Sequence, residues 1–182
     1  MNIEKFQLEE DVLARHVAAA QMSRLYDASH FRAKNIACVV DKEETFVGVL
    51  YALERLGFET ACSNSLDAVF KVVAEDPEEW AMILIRLDQP LDEERLESHV
   101  RLIRMMDVRI PILVLAGKGR SPVCTDYPKL YGDCVVEEPK TLSALSESIG
   151  VAVASNRRWG ARFDDFRRDA FEGFRRKYMP KQ

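Results

Sequence analysis

The sequence predicts an α/β protein with a doubly wound five-stranded parallel sheet and additional helices at both ends of the chain. Five short apolar runs alternate with segments of helical periodicity between residues 35 and 155. This alternation is typical of a parallel sheet with helices on both faces. The first run and the third are apolar at nearly every position, as expected of strands that are buried on both sides.

The predicted strands share an apolar composition and are followed by polar residues or turn signals. They cover residues 36–40, 58–62, 80–87, 110–116 and 134–137. The predicted helices between and after them cover residues 45–56, 65–75, 91–106 and 139–154. Gly57 indicates the end of the first of these helices, and Asp76 followed by Pro77 indicates the end of the second. Residues 117–133 show little periodicity and leave room for one short helix at most.

Two further helices are predicted outside this alternation. Residues 3–29 place apolar side chains on one helical stripe, and residues 156–178 do the same with aromatic ones. We therefore divide the chain into an N-terminal helical extension (1–33), an α/β domain (34–155) and a basic amphipathic C-terminal helix (156–182). The aromatic stripe of the last helix consists of Trp159, Phe163, Phe166, Phe174 and Tyr178.

The charge of the chain is unevenly distributed. Residues 156–182 hold nine Lys or Arg and four Asp or Glu, a net charge of +5. Because the whole chain has a net charge of −4, residues 1–155 carry −9. An acidic body with a basic, aromatic tail favours contact with a protein partner or another copy, and we expect a homodimer formed through the terminal helices. The sequence disfavours nucleic acid binding, because the aromatic residues share one helical face and the body is acidic.

Several classes of protein are disfavoured by composition. No run of about 18 apolar residues predicts a membrane span, and the start lacks a signal-peptide core, so we expect a cytoplasmic protein. The four cysteines form no CxxC pair and are interpreted as core residues, so we predict no metal site and no cofactor. No glycine-rich phosphate loop follows the first strand. Whether Lys118 and Arg120 hold a small anion is left open.

The strand ends carry the most specific pattern. In a parallel sheet the carboxyl ends of the strands form the functional edge. Four stretches at that edge resemble the receiver domain of response regulators over residues 34–155: VVD (39–41), LIRLDQP (84–90), IPILVLA (110–116) and VVEEP (135–139). The resemblance implies the strand order 2-1-3-4-5. It also implies an acidic pair after the first strand, a phosphoacceptor aspartate four residues before a proline, a hydroxyl after the fourth strand and a Lys-Pro pair after the fifth.

The chain departs from that pattern at the reactive positions. Asp41 and Pro139 are retained, but Lys42 replaces one acid, Arg86 stands at the phosphoacceptor, Ala116 at the hydroxyl and Glu138 at the lysine. Receiver chemistry needs oxygen ligands for Mg²⁺ and a carboxylate nucleophile. We therefore predict a pseudo-receiver without enzymatic activity, which acts by protein contacts. Arg86 is expected to pair with Asp41, Glu138 or both, and its removal to cost about 3–5 kcal/mol if those carboxylates are well buried.

Three alternatives remain open. Asp88, two residues after Arg86, is an alternative phosphoacceptor in an atypical but functional receiver. The tail sequence FEGFRRKY (171–178) resembles the segment that follows the N-terminal wing domain of Orn/Lys/Arg decarboxylases, which would make the chain a stand-alone or truncated regulatory wing. An unrelated flavodoxin-like module is the third.

Overall fold

The computed structural model describes residues 25–87, 93–106, 108–116 and 132–178, with only the backbone described for residues 43, 87, 93, 166 and 169–178. Its five strands form one parallel sheet in the order β2-β1-β3-β4-β5. The strands are β1 (Asn35–Val39), β2 (Glu59–Ser63), β3 (Trp80–Leu87), β4 (Ile112–Ala116) and β5 (Cys134–Glu137). The predicted fold class and strand order are confirmed.

Helices cover both faces of the sheet. They are α1 (Val47–Arg55), α2 (Leu66–Glu75), α3 (Glu93–Met105) and α4 (Leu142–Tyr178). Apolar side chains of α1 and α4 pack on one face of the sheet, and those of α2 and α3 pack on the other. Cys38 and Cys134 are buried in the first of these clusters, as predicted for core cysteines. None of the helices in the described part of the chain combines the length and hydropathy needed to cross a membrane.

Local sequence signals explain most element boundaries. The hydroxyl of Ser65 accepts a hydrogen bond from the backbone N–H of Ala68 (3.3 Å) and caps the start of α2. Gly57 follows α1 with φ of +84°, a conformation that favours glycine, and so confirms the predicted helix end. β4 begins at Ile112, two residues later than predicted, because Pro111 has no N–H to donate to the ladder.

The prediction of two separate C-terminal helices, 139–154 and 156–178, is wrong. The structure has a single helix of 37 residues, Leu142–Tyr178. Asn156, where the sequence pattern suggested a break, is buried, and its amide donates to the carbonyl of Ile110 (3.1 Å). A tertiary contact thus uses the polar side chain and leaves the helical backbone intact.

The prediction that the N-terminal helix extends to residue 29 is also wrong. Residues Ala28–His30 form one 3₁₀ turn, capped by the carboxylate of Asp27, and residues 25–27 are not helical. The backbone N–H of Ala28 donates to the carbonyl of Leu56 (2.9 Å), which fixes this segment beside the end of α1. The rest of the predicted helix, residues 3–24, lies outside the described residues.

Candidate functional site

The carboxyl ends of β1, β3, β4 and β5 meet at one edge of the sheet, where the sequence predicts the functional site. Arg86 of β3 pairs with Leu115 of β4, and Ala116 pairs with Glu137 of β5. The backbone N–H of Glu138 donates to the carbonyl of Ala116 (3.1 Å), which extends this registration past the strand ends. Parallel pairing therefore brings the predicted positions on β3, β4 and β5 together.

Arg86 is the central side chain of this edge, and only 11% of it is exposed. Its Nε lies 3.1 Å from Oε2 of Glu138, an ion-pair distance, although the direction of the N–H does not also give hydrogen-bond geometry. Its Nη1 donates to the hydroxyl of Thr45 at 2.7 Å. The guanidinium carbon lies 5.3 Å from the centroid of the Phe46 ring, within cation–π range. The predicted contact between Arg86 and Glu138 is confirmed.

Thr45 belongs to this site, although sequence reasoning missed it. Its hydroxyl accepts from Arg86 and donates to the backbone carbonyl of Lys42 at 2.8 Å. Arg86 is thereby connected to the loop between β1 and α1 through Thr45 and to the loop after β5 through Glu138. The only sequence signal for Thr45 is its place three residues after Lys42, in the single turn of 3₁₀ helix that precedes α1.

Asp41 and Lys42 do not take part as expected. Both are exposed, and within the described residues neither forms an ion pair. Of the four strand-end residues, Arg86 and Glu138 form an ion pair with each other, and Asp41 and Lys42 do not join it. The alternative bridge from Arg86 to Asp41 is not formed among the described residues, where Glu138 lies within ion-pair distance of Arg86. Asp88, Lys118 and Arg120 lie outside the described residues.

The fourth strand ends without a hydroxyl group. Ala116 is 3% exposed and presents only a methyl group at the position where the resemblance implies Ser or Thr. Pro139 is half-buried after Glu138. Among the described residues, no three His, Cys, Asp or Glu side chains are grouped so that they could hold a metal ion. The described edge thus presents a cation, a carboxylate and a methyl group.

A cleft of about 680 Å³ opens beside Arg86, between α1 and the start of α4. Its volume is within the range of about 300–1,000 Å³ that is common for ligand pockets. The hydroxyl of Thr141 caps α4 by accepting from the backbone N–H of Ala144 (3.1 Å). The cleft has an apolar floor and a polar rim, and its lining comprises Thr45, Gly48, Val49, Ala52, Arg86, Glu137, Glu138, Pro139, Lys140, Thr141, Leu142 and Leu145.

A second polar cluster lies at the opposite, amino edge of the sheet and anchors α4. Asp133 is 7% exposed, and its carboxylate accepts from Arg104 (2.6 Å) and from the buried amide of Asn156 (3.1 Å). Burial raises the pKa of the Asp133 carboxyl, while the nearby Arg104 opposes that shift. Arg104 also lies over the ring of Trp159, 4.8 Å from its centroid. The cluster joins α3, β4, β5 and the middle of α4.

The predicted interaction residues of α4 are thus placed only in part. Trp159 stacks on Phe163 with ring centroids 5.3 Å apart, and both are half-buried. Arg109 donates to both carboxylate oxygens of Asp164 (2.8 and 2.5 Å) and holds the pKa of that carboxyl below its ordinary value. The start of the stripe therefore packs on the chain's own body. The side chains of Phe166, Phe174 and Tyr178 lie outside the described residues.

Solved structures share the fold of this chain, although sequence comparison finds no relative. No protein-family model and no curated protein matches the chain. Among solved structures, it is similar to a response regulator receiver domain protein from Clostridium thermocellum (16% identity, 69% of this chain and 98% of that chain covered, TM-score 0.50). FixJ-N matches at 21% identity, with 68% and 96% covered and a TM-score of 0.53. The beryllofluoride-activated NtrC4 receiver domain dimer matches at 16% identity, with 68% and 98% covered and a TM-score of 0.52.

Proposed function

We propose that this chain, which has the receiver fold, is a signal-transduction module that cannot be phosphorylated in the usual way and that works through protein contacts. The observation that carries the proposal is the position of Arg86. Its guanidinium lies at the end of β3, held by Glu138 on one side and Thr45 on the other. A receiver that is phosphorylated in the usual way would need a carboxylate at the end of β3.

The electrostatics of the edge support this proposal. A guanidinium carries no lone pair for attack on phosphorus and does not deprotonate in proteins. Mg²⁺ requires several hard oxygen ligands, and a fixed positive charge at the centre of the site opposes its binding. Ala116 offers no hydroxyl to a transferred phosphoryl group. Arg86 and Glu138 are therefore better suited to neutralising each other than to phosphoryl transfer.

The same contacts favour a single conformation of the edge. Arg86 connects the loop before α1 with the loop after β5. A phosphorylation switch needs two arrangements whose balance the modification shifts. The charge of Arg86 is always present, so it favours the same conformation of the edge at all times. This suits a module whose output depends on the presence of a partner.

Incubation with acetyl phosphate and Mg²⁺, followed by intact mass measurement, tests the proposal. We expect this chain to gain no phosphoryl group. FixJ-N is treated identically as the comparison sample. A phosphoryl gain that disappears in Asp88→Asn would overturn the proposal and establish the alternative acceptor. A phosphoryl gain that persists in that variant would overturn it as well.

Self-association is the second part of the proposal. The NtrC4 receiver domain in the comparison is a dimer, and the basic tail and acidic body of this chain are complementary in charge. Light scattering of the full chain and of a chain truncated after Asp164 tests this. The truncation leaves Asn156 and the Arg109–Asp164 contact in place, so a fall to monomer mass implicates the tail, and an unchanged mass excludes it.

A further inference from the structure

The helix α1, which lines the cleft beside Arg86 through Gly48, Val49 and Ala52, also carries exposed apolar side chains. Val47 and Tyr51, one helical turn apart, are 59% and 58% exposed. The floor of the cleft is apolar and includes Val49 of α1 and Leu142 and Leu145 of α4. An apolar groove between two helices, with a polar rim, is suited to binding one face of an amphipathic helix.

Acidic residues border this groove on two sides. Asp41 and Glu44 are exposed in the loop before α1, and Glu137 is exposed at the end of β5. Lys42 and Lys140 offset them only in part. The body of the chain carries a net charge of −9, and residues 156–182 carry +5. A basic amphipathic helix is therefore the occupant that the charge of the chain favours.

We propose that the groove binds the C-terminal tail, residues 165–178, of a second copy of this chain, in a symmetric dimer whose α4 helices run antiparallel. The inference deepens the self-association part of the proposed function and rests on it. The tail places Phe166, Phe174 and Tyr178 at helical spacing, and three consecutive cations, residues 175–177, precede its last aromatic residue. Aromatic residues then meet the apolar floor, while Arg175 and Arg176, which lie on either side of the aromatic arc in helical projection, meet the acidic rim.

The continuity of α4 excludes the chain's own tail from this groove. Residues 165–178 lie at least 20 positions beyond Leu145 on one unbroken helix, which is about 30 Å at 1.5 Å per residue. The tail of an antiparallel second copy has no such restriction. If Phe174 lies opposite Leu145 of the second copy, the two-fold axis passes near Gly160. Each tail then occupies the groove of the other copy, so the assembly stops at a two-fold symmetric dimer.

Distances between spin labels on the full-length dimer test the arrangement. Labels attached to a non-natural amino acid avoid the native cysteines, and Ala161 and Ser143 are exposed sites on α4. In the antiparallel dimer the label pair at 161 is close, whereas the pair at 143 is separated by about 50 Å along the helix axes. Short distances at both sites would mean parallel helices and would overturn the inference.

Filling the groove provides a second test. A Cβ built at Gly48 meets nothing within 4 Å, so Gly48→Trp adds a ring to the lining of the groove without a backbone clash. Its matched control is Ala68→Trp, at an exposed position of α2 on the other face of the sheet. We expect Gly48→Trp to weaken the dimer at least tenfold in sedimentation equilibrium and the control to leave it unchanged. Raising the salt concentration should weaken the unmodified dimer, because the contact is partly ionic.

The possible failures are distinguishable. A chain that stays monomeric at all concentrations, or a dimer insensitive to Gly48→Trp, would overturn the inference and leave the proposal of a non-phosphorylatable receiver intact. A phosphoryl gain in the acetyl phosphate experiment would overturn that proposal and leave the dimer geometry untouched. If Gly48→Trp does not fold, the label distances decide alone, since they need no change in the groove.

Discussion

Replacing Arg86 with Met tests whether the guanidinium holds the carboxyl edge of the sheet together. Met keeps an apolar stem and removes the hydrogen bond to Thr45 and the ion pair with Glu138. A hydrogen bond to a charged group contributes about 1.5–3 kcal/mol, and the exposure of the Thr45 hydroxyl favours the lower part of that range. Glu138 is 32% exposed, so water can solvate its carboxylate once Arg86 is gone. We therefore expect a loss of about 2 kcal/mol in the free energy of unfolding. This is smaller than the loss of about 3–5 kcal/mol expected if the carboxylate left behind were fully buried.

Urea unfolding followed by circular dichroism measures this loss, and a thermal scan should show a fall of about 4–8 °C in Tm. Arg101→Met is the matched control. Its partner Glu97 lies one turn earlier on α3 and Arg101 is 66% exposed, so its removal should cost no more than about 0.5 kcal/mol. A double-mutant cycle with Glu138→Gln should give a coupling of about 1 kcal/mol. A loss for Arg86→Met as small as the control's, or a coupling of zero, would refute the reasoning.

Three other substitutions probe features away from Arg86. Arg109 lowers the pKa of Asp164 below the ordinary 3.8, so their contact stabilises the protein above that pH and is lost as the pH falls through the lowered pKa. The difference in the free energy of unfolding between the unmodified protein and Asp164→Asn should therefore vanish in acid. Urea titrations at several pH values measure that difference. Gly132→Ala should cost about 1–3 kcal/mol in the same assay, because its Cβ would lie 3.0 Å from the carbonyl oxygen of Ile112. Gly48→Ala should instead stabilise by up to about 1 kcal/mol, since it adds a helix-favouring methyl group in open space. Equal effects of the two alanines would contradict the packing described around Gly132.

The central strands were predictable because burial on both faces leaves a run of apolar residues in the sequence, whereas the strand order was implied by the resemblance of the strand ends to receiver domains. The run from Trp80 to Leu87 is apolar at all positions except Arg86, and β5 begins and ends as predicted. The helix ends were less predictable, because long-range contacts decide them. Asn156 looks like a helix breaker in sequence, yet its side chain is bound by Asp133 and Ile110 from other parts of the chain.

The candidate site was predictable in its charges and not in its contacts. The replacement of expected acids by Arg86 and of an expected cation by Glu138 can be read from the strand ends. The choice of Glu138 over Asp41 as partner depends on how far each loop reaches over the sheet, which no local pattern records. Thr45 was missed for the same reason, because its bond to Arg86 joins residues 41 positions apart.

The unbroken length of α4 has a mechanical consequence. The helix starts beside the cleft at the carboxyl edge, is fastened at the amino edge through Asn156, and continues to Tyr178. The stretch from Asn156 to Tyr178 is about 33 Å long, so a tilt of about 5° about Asn156 would move the far end by about 3 Å. We therefore expect a displacement of the loop that carries Glu138 to be accompanied by a displacement of the tail, because one unbroken helix connects them.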